Sequence, residues 1–234
     1  MKTVILDAGP IISLTTNSIL WLLEAMQKKT NTRFAIVSSV KHELVDHPLE
    51  TKKFKFEALQ VQRLIEEGIL LVIDNPEFRE RAFQLLETAN TIFWAHNEPI
   101  RIVQLGEMET LVAAVGLGTN CVVMDERITR SLLETPDQLK EMMSRRLHTK
   151  IRVDAKKLDS FRDYTHHVEI IRSAELVTIA YEKGLLDGYL VKVPNPEKAL
   201  LESVLWGVKL NGCSISEEEI KELVNAELNR RIRG

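Results

Sequence analysis

The chain has 234 residues, of which 44% are hydrophobic and 28% charged, a composition typical of a globular protein that buries a sizeable core. Its net charge of -3 excludes a general attraction to nucleic acid, so any basic surface has to be local. Cys121 and Cys213 are the only cysteines. They are too few for a disulfide scaffold or a cysteine-built zinc site, and they suit a reducing compartment.

The sequence has no apolar run close to the roughly 18 residues that span a bilayer. Its first residues also acquire a charge too early for a secretory signal. We therefore expect a cytoplasmic protein with no membrane partner. The length suits one large α/β domain, or such a domain with a helical appendage.

The chain opens with a short apolar strand, residues 3–6, that ends on Asp7 and is broken by Gly9 and Pro10. In open parallel α/β sheets, ligands bind at the carboxyl ends of the strands, where Asp7 is expected to lie. Taken alone, a strand-end Asp is also a common helix cap or turn residue.

Residues 11–28 have apolar side chains at helical spacing, and residues 34–37 predict a second buried strand. Ser38 or Ser39 is a suitable N-cap for the helix that follows. Glu43 lies one turn into that helix, which begins at the carboxyl end of a strand. It is a candidate site residue or, alternatively, a solvated acid favoured by the helix dipole.

Lysine and phenylalanine alternate over residues 52–56, which form either a phosphate-contacting edge or the solvated start of a helix. The pattern then predicts a helix to residue 67, a third strand over residues 69–73 and another helix over residues 76–95.

A buried helix is predicted from residue 105, with acids in its first turn and small apolar residues after them. Glu107 and Glu109 are two positions apart, so they point roughly 200° apart and at most one can face a common site. Glu109 is in line with the small residues Ala113 and Gly116. It is the preferred candidate and Glu107 the alternative, although both could be surface acids.

Residues 121–124 predict a buried strand that ends on Asp125, which repeats the arrangement at Asp7. Arg127 and Arg130 follow on a short helix and are candidate contacts for a phosphate backbone. Further along, the sequence predicts a strand over residues 168–171. It also predicts helices over residues 173–183, from about residue 196, and from a capping box at Ser216.

Basic residues are concentrated between residues 140 and 157. They are Lys140, Arg145, Arg146, Lys150, Arg152, Lys156 and Lys157. Such a stretch can bind a phosphate backbone, but a solvated surface explains it equally well.

Asp7, Glu43, Glu109 and Asp125 are thus expected at one edge of a parallel sheet. Four carboxylates that close together cannot all ionise without a cation. Mg²⁺ or Mn²⁺ fits, because both ions take carboxylate and water oxygens. The reaction that suits such a site is metal-assisted hydrolysis of a phosphodiester, and no glycine-rich phosphate loop is present.

Four short motifs, in order, resemble the PIN-domain nucleases: LDAGPII, SSVKHEL, LGEMETLVAAVGLG and VVMDERITR. The branch related to VapC-type toxins is the most similar, because its members carry a Gly-Glu-x-Glu segment before the last strand-end Asp. The resemblance covers residues 1–133 and, more weakly, residues 171–186.

The resemblance implies a metal-dependent endoribonuclease with a three-layer α/β/α fold, a central parallel sheet and an acidic pocket for Mg²⁺ or Mn²⁺. The first, second and last family acids correspond to Asp7, Glu43 and Asp125. The third corresponds to Glu109, with Glu107 as the fallback.

The sequence departs from the family at two points. A Ser or Thr often follows the first Asp, but Ala8 and Gly9 stand there, so that hydrogen bond is missing or comes from elsewhere, for example from Ser13 or Ser38. The chain is also longer than VapC-type toxins. We assign residues 1–189 to a PIN-like nuclease domain with a basic insertion over 134–170, and residues 190–234 to a C-terminal helical extension.

The expected partners are single-stranded RNA and, by family resemblance, a second copy of the chain and a small antitoxin or another protein. The alternative is a protein that has the PIN-like fold but no catalytic activity and serves as a module for RNA binding or assembly.

Overall fold

The computed structural model describes residues 2–233 of the chain, with side chains to residue 230. The strands are β1 (Lys2–Leu6), β2 (Thr32–Val37), β3 (Leu70–Ile73), β4 (Phe93–Ala95), β5 (Glu98–Pro99), β6 (Cys121–Val123), β7 (Arg152–Val153) and β8 (Glu169–Ile171). The α-helices are α1 (Ala8–Thr16), α2 (Leu22–Thr30), α3 (Ser38–Lys41), α4 (His47–Glu50), α5 (Lys55–Glu66), α6 (Pro76–Ala89), α7 (Leu105–Gly116), α8 (Arg127–Glu134), α9 (Pro136–Leu147), α10 (Ala155–Thr165), α11 (Ser173–Glu182), α12 (Pro196–Leu210) and α13 (Glu217–Arg233).

Five strands form a central, all-parallel sheet in the order β3-β2-β1-β6-β8, and helices cover it. The expected three-layer α/β/α fold is confirmed. Parallel strands are buried on both faces and therefore read as continuous apolar runs, as in β2 and β6. The chain builds outward from β1 to β3 and then returns to the other side of β1 with β6. The strand order therefore reverses between β1 and β6, and their carboxyl ends flank the crevice where ligands bind in such sheets.

Helix α7 lies against β1, β2 and β6 and packs closely on α6. Gly116 makes this approach possible, because a Cβ there would lie 2.4 Å from the Cε1 atom of Phe78. The small face predicted around Ala113 and Gly116 thus accommodates an aromatic ring from the neighbouring helix.

A second, smaller sheet has the antiparallel order β5-β4-β7. It adjoins a separate hydrophobic cluster that includes Phe93, Leu139 and Phe161. Helices α9 and α10, which lie within residues 134–170, contribute to this cluster, whereas β8 from the same range is an edge strand of the central sheet.

Two predicted helices are shorter than the periodicity indicated. The helix predicted over residues 11–28 is split into α1 and α2, because Ser18 adopts a left-handed backbone with a φ of 59°. The helix predicted over residues 76–95 ends at Ala89. The side chain of Asn90 bonds instead to the backbone of Ile102 and Val103 and holds the returning chain.

The C-terminal helices belong to the main core. Helix α12 contacts α1 and α11, and Leu201 and Leu205 are buried in the cluster that surrounds the central sheet. The predicted capping box at Ser216 is confirmed: its N–H donates to the Glu219 carboxylate over 2.8 Å, and its hydroxyl accepts from the Glu219 N–H over 3.1 Å. Within the part of the chain that the structure describes, no helix has the length and apolar character needed to cross a membrane.

Candidate acidic site at the sheet edge

A cavity of about 200 Å³ lies at the carboxyl ends of β1 and β6, where the strand order reverses. Five of its lining residues carry carboxyl groups, and among the described residues that line it there is no lysine or arginine. The five are Asp7, Glu43, Glu107, Asp125 and Glu126. The remaining lining residues are Ala8, Gly9, Ile12, Gln104, Gly106, Asn211 and Gly212.

Asp7 follows β1 directly, and its side chain is buried. Its backbone N–H donates to the carbonyl oxygen of Val123 over 2.9 Å, which ties the end of β1 to the end of β6. Burial raises the pKa of the Asp7 carboxyl to about 7, the N–H of Ala8 opposes that shift, and the charge of Glu43 adds to it. Asp7 therefore holds its proton more strongly than an ordinary aspartate.

Asp125 is buried on the opposite wall, with both carboxylate oxygens engaged. Oδ1 accepts from the N–H of Ser173 over 2.7 Å, and Oδ2 accepts from the hydroxyl of Ser13 over 3.1 Å. Gly9 permits this packing, because a Cβ there would lie 3.3 Å from the Cβ of Asp125. Of the two serines considered from the sequence, Ser13 reaches the site, whereas the hydroxyl of Ser38 donates to Asp74 outside it.

The two acids of α7 have different surroundings. Glu107 lines the cavity and accepts a hydrogen bond from the hydroxyl of Thr129. Burial raises the pKa of Glu107 to about 8, against the opposing effect of Thr129 and with a smaller contribution from Asp7. Glu109 is only 1% exposed, and its carboxylate accepts from the N–H of Ser39 over 3.1 Å at the start of α3.

The structure therefore brings Glu107, rather than the preferred Glu109, to the cavity that holds Asp7 and Asp125. Glu107 and Glu109 are two positions apart on α7 and so point in different directions, as the sequence indicated. The rotation of α7 against the sheet turns Glu107 toward the cavity. Glu109 instead satisfies a backbone N–H at the first turn of α3, which is a structural role.

Glu43 reaches the cavity from an unusual backbone. It lies in a π-helical turn, His42–Asp46, that connects α3 to α4, and such turns are frequent at functional sites. The Glu43 side chain forms the exposed rim of the cavity, and partial burial of its carboxyl raises its pKa. Glu43 is thus more accessible than Asp7, Glu107 or Asp125.

Sequence reasoning did not single out Glu126, Asn211 or Gly212 as site residues. Glu126 lines the cavity and also caps α8, where its carboxylate accepts from the N–H of Ile128 over 3.1 Å. Its position beside Asp125 was the available signal. Asn211 and Gly212 come from the loop between α12 and α13, far away in sequence, and no local pattern points to them.

That loop is held against the site by several contacts. Arg172 donates to the carbonyl oxygen of Ser214 over 3.0 Å and to the Glu219 carboxylate over 2.8 Å. The hydroxyl of Ser13 also lies 3.3 Å from the carbonyl oxygen of Asn211. The Cys213 thiol is buried, and its burial together with the charge of Asp125 raises its pKa to about 12. The thiol is therefore an inert neighbour of the site.

The candidate RNA-binding residues are outside the cavity lining. Arg127 is exposed two positions after Asp125, whereas Arg130 is half-buried and donates to the hydroxyl of Ser214 over 3.5 Å. Exposed side chains on or between α9 and β7 make up the rest: Lys140, Arg145, Arg146, Lys150 and Arg152. Of these, Arg145 pairs with Glu141, and Arg152 lies over the ring of Trp94.

Among the described residues, no three His, Cys, Asp or Glu side chains stand in an arrangement that could hold a metal ion. The donor chemistry nevertheless fits a hard divalent cation, because every charged group in the lining is a carboxyl and none is a cation. Burial is the main cause of the raised pKa values of Asp7 and Glu107, and neighbouring carboxylates add to it.

The chain has no significant match among models of protein families, among curated proteins or among solved structures. A function for it is therefore argued from its own residues and geometry.

Proposed function

We propose that this protein is a metal-dependent endoribonuclease of the PIN type, and that the acidic cavity is its active site. The observation that carries this proposal is the meeting of five carboxyl groups, with no cationic side chain among the described lining residues, at the point where the strand order of the sheet reverses. Ligands bind at that point in open parallel sheets, and clustered carboxyl groups suit the binding of Mg²⁺ or Mn²⁺.

A divalent ion bound there would polarise the phosphodiester and lower the pKa of an attacking water. Asp7, Glu107 and Asp125 are the residues that would hold it. Asp125 contributes a carboxylate whose orientation is set by Ser173 and Ser13. Asp7 and Glu107 would have to give up protons, so binding of the ion should release protons and weaken at lower pH.

Glu43 completes the proposed ligand set from the rim. Because its side chain is exposed, it can change rotamer without disturbing the core. Such a movement is required, since the carboxyl groups do not stand ready as a three-ligand group. Outside the cavity, the exposed Arg127 is suitably charged to contact the RNA backbone near Asp125.

The alternative is a PIN-like module that binds RNA or assembles with other proteins without cleaving. The absence of a ready three-ligand group among the described residues favours it. The two candidates differ in one measurable property, which is saturable binding of a divalent ion coupled to cleavage.

The test compares the wild-type protein with Asp7→Asn by calorimetric titration with Mn²⁺ and by cleavage of a single-stranded RNA of mixed sequence. We expect Mn²⁺ binding and Mn²⁺-dependent cleavage in the wild type, with both falling about a hundredfold or more in Asp7→Asn, since even loss of an outer partner of a metal ligand costs about 10- to 100-fold.

Asp74→Asn is the matched control, because Asp74 also follows a strand of the same sheet but lies outside the cavity. It should bind Mn²⁺ and cleave as the wild type does. Equal loss in both variants would mean that the effect is not specific to the cavity. RNA binding without Mn²⁺ binding or cleavage would establish the alternative.

A further inference from the structure

A small apolar pocket of about 80 Å³ adjoins the acidic cavity. Ile12 and Glu43 line both, so the two depressions are continuous across the rim. The far side of the pocket is formed by Leu44 and by the ring of Phe54, which precedes α5. The surface thus changes at Glu43 from acidic to mainly apolar, with Glu57 as the other acid in the pocket lining.

Phe54 is an unusual residue for a surface loop. Its side chain is 59% exposed, and its backbone has a φ of 60°, in the left-handed region that bulky residues rarely adopt. Exposure of a large apolar side chain to water is energetically unfavourable, and a partner that covered the ring would remove this cost. The conformation keeps the ring at the mouth of the pocket, beside Glu43.

Three lysines flank Phe54 in the sequence: Lys52, Lys53 and Lys55. All are exposed, and among the described residues none of them takes part in an ion pair. They contrast with Arg145 of the basic stretch, which is paired with Glu141. Free cations interleaved with an exposed aromatic ring are the combination that binds single-stranded nucleic acid, through phosphate contacts and base stacking.

We propose that this pocket is a nucleobase subsite. Phe54 stacks on one base of a single-stranded RNA, next to the phosphate that enters the acidic cavity, while the lysines contact the neighbouring phosphates. This inference rests on the proposed function and gives a structural reason for a single-stranded substrate, because a base within a duplex cannot stack on a protein ring. The lysines favour RNA over an apolar peptide, which would need the ring but not the cations.

The experiment measures binding of a fluorescein-labelled single-stranded RNA by anisotropy, in the Asp7→Asn background so that the RNA stays intact. Phe54→Ala should weaken binding about tenfold or more, the usual loss for one stacked base, and Phe54→Trp should retain it. Phe83→Ala is the matched control, because Phe83 is 53% exposed on α6 and lines neither depression. Thermal unfolding checks that each variant is folded.

A set of RNAs, each with a single abasic position, identifies the base. We expect that loss of the base at one position weakens RNA binding by the protein with Phe54 about as much as Phe54→Ala does. In the Phe54→Ala protein, loss of the same base should have no further effect. In otherwise wild-type protein, Phe54→Ala should raise KM with little change in kcat.

Equal RNA binding by Phe54→Ala and Phe83→Ala would overturn the subsite while cleavage by the wild type leaves the nuclease proposal standing. Loss of binding at Phe54 with no sensitive abasic position would also overturn it and point to a peptide or backbone contact. A wild-type protein that neither binds nor cleaves RNA would overturn both proposals.

Discussion

The two walls of the acidic cavity are built differently. On the wall formed by β6, donors from α1 and α11 bond to both oxygens of Asp125 and set the orientation of its carboxylate. On the wall formed by β1 and α7, burial of Asp7 and Glu107 outweighs the donors around them, and their pKa values rise to about 7 and about 8. The first wall holds its carboxylate in one orientation, and we call it the positioned wall. The second changes its protonation near neutral pH, and we call it the responsive wall.

This difference explains why a cavity with so many acids is compatible with a stable fold. Buried carboxyl groups close together cannot all be charged without compensation. In this fold, hydrogen bonds hold the carboxyl group of Asp125, whereas Asp7 and Glu107 can keep their protons. Each of the following variants or conditions acts on one wall.

The largest expected effect comes from comparing two single substitutions, one at each acid of α7. Glu107→Gln should lower Mn²⁺ affinity and Mn²⁺-dependent cleavage about a hundredfold, because it removes a carboxylate from the responsive wall. Glu109→Gln, two positions away, should retain both within a few-fold. It should instead lower the free energy of unfolding by about 1–2 kcal/mol, because the bond to the Ser39 N–H loses its charge. Calorimetry, cleavage and urea unfolding measure these effects. The reverse pattern would restore Glu109 as the third ligand.

The pH dependence of stability should also identify the responsive wall. In the unfolded chain Asp7 and Glu107 lose their protons near their ordinary pKa values of 3.8 and 4.5, whereas the folded protein holds them until about 7 and 8. Over that interval the folded state binds more protons, so this contribution to the free energy of unfolding falls as pH rises.

Urea unfolding of the metal-free protein between pH 5 and 8 measures this fall, and Asp7→Asn should reduce its slope. Saturating Mn²⁺ should oppose the fall, because it favours the ionised carboxyls. An identical pH profile for the wild type and Asp7→Asn would show that the Asp7 carboxyl does not hold its proton as proposed.

The next effect concerns the loop that closes the positioned wall. Arg172→Gln removes donors to the Ser214 carbonyl oxygen, to Glu219 and to Glu175, so the free energy of unfolding should fall by about 2 kcal/mol. Arg63→Gln is a suitable control, because Arg63 pairs with Glu67 on the surface of α5, where an ion pair adds little. If both variants unfold alike, Arg172 does not tether the loop.

The smallest expected effect is that of Ser13→Ala. It removes the hydroxyl that donates to Oδ2 of Asp125 and should lower the free energy of unfolding by about 1 kcal/mol. Cleavage should fall by a modest factor, because Ser173 still bonds to the other oxygen. Thr88→Ala serves as the control, because its hydroxyl bonds to the backbone of its own helix, α6, and Thr88 lines neither depression. A loss of cleavage as large as that of Asp7→Asn would mean that Ser13 itself contacts the substrate.

Local sequence patterns predicted much of the architecture. The strands that carry Asp7 and Asp125 are continuous apolar runs, since parallel strands are buried on both faces, and they form neighbouring strands of the observed sheet. The patterns predicted two helices that were too long. The backbone angle of Ser18 interrupts the first helix, and the side chain of Asn90 follows the end of the second. The proposed ligands, the RNA contacts and the nuclease activity remain predictions.

The sequence by itself determined the five strands of the central sheet, most of the helices and the acids at the strand ends, because these depend on residues close together in the chain. Only the tertiary structure decided which acid of α7 enters the cavity, since that depends on how the helix is rotated against the sheet. It also brought Asn211 and Gly212 to the site, because packing of α12 on α1 and α11, rather than any local pattern, sets the position of their loop.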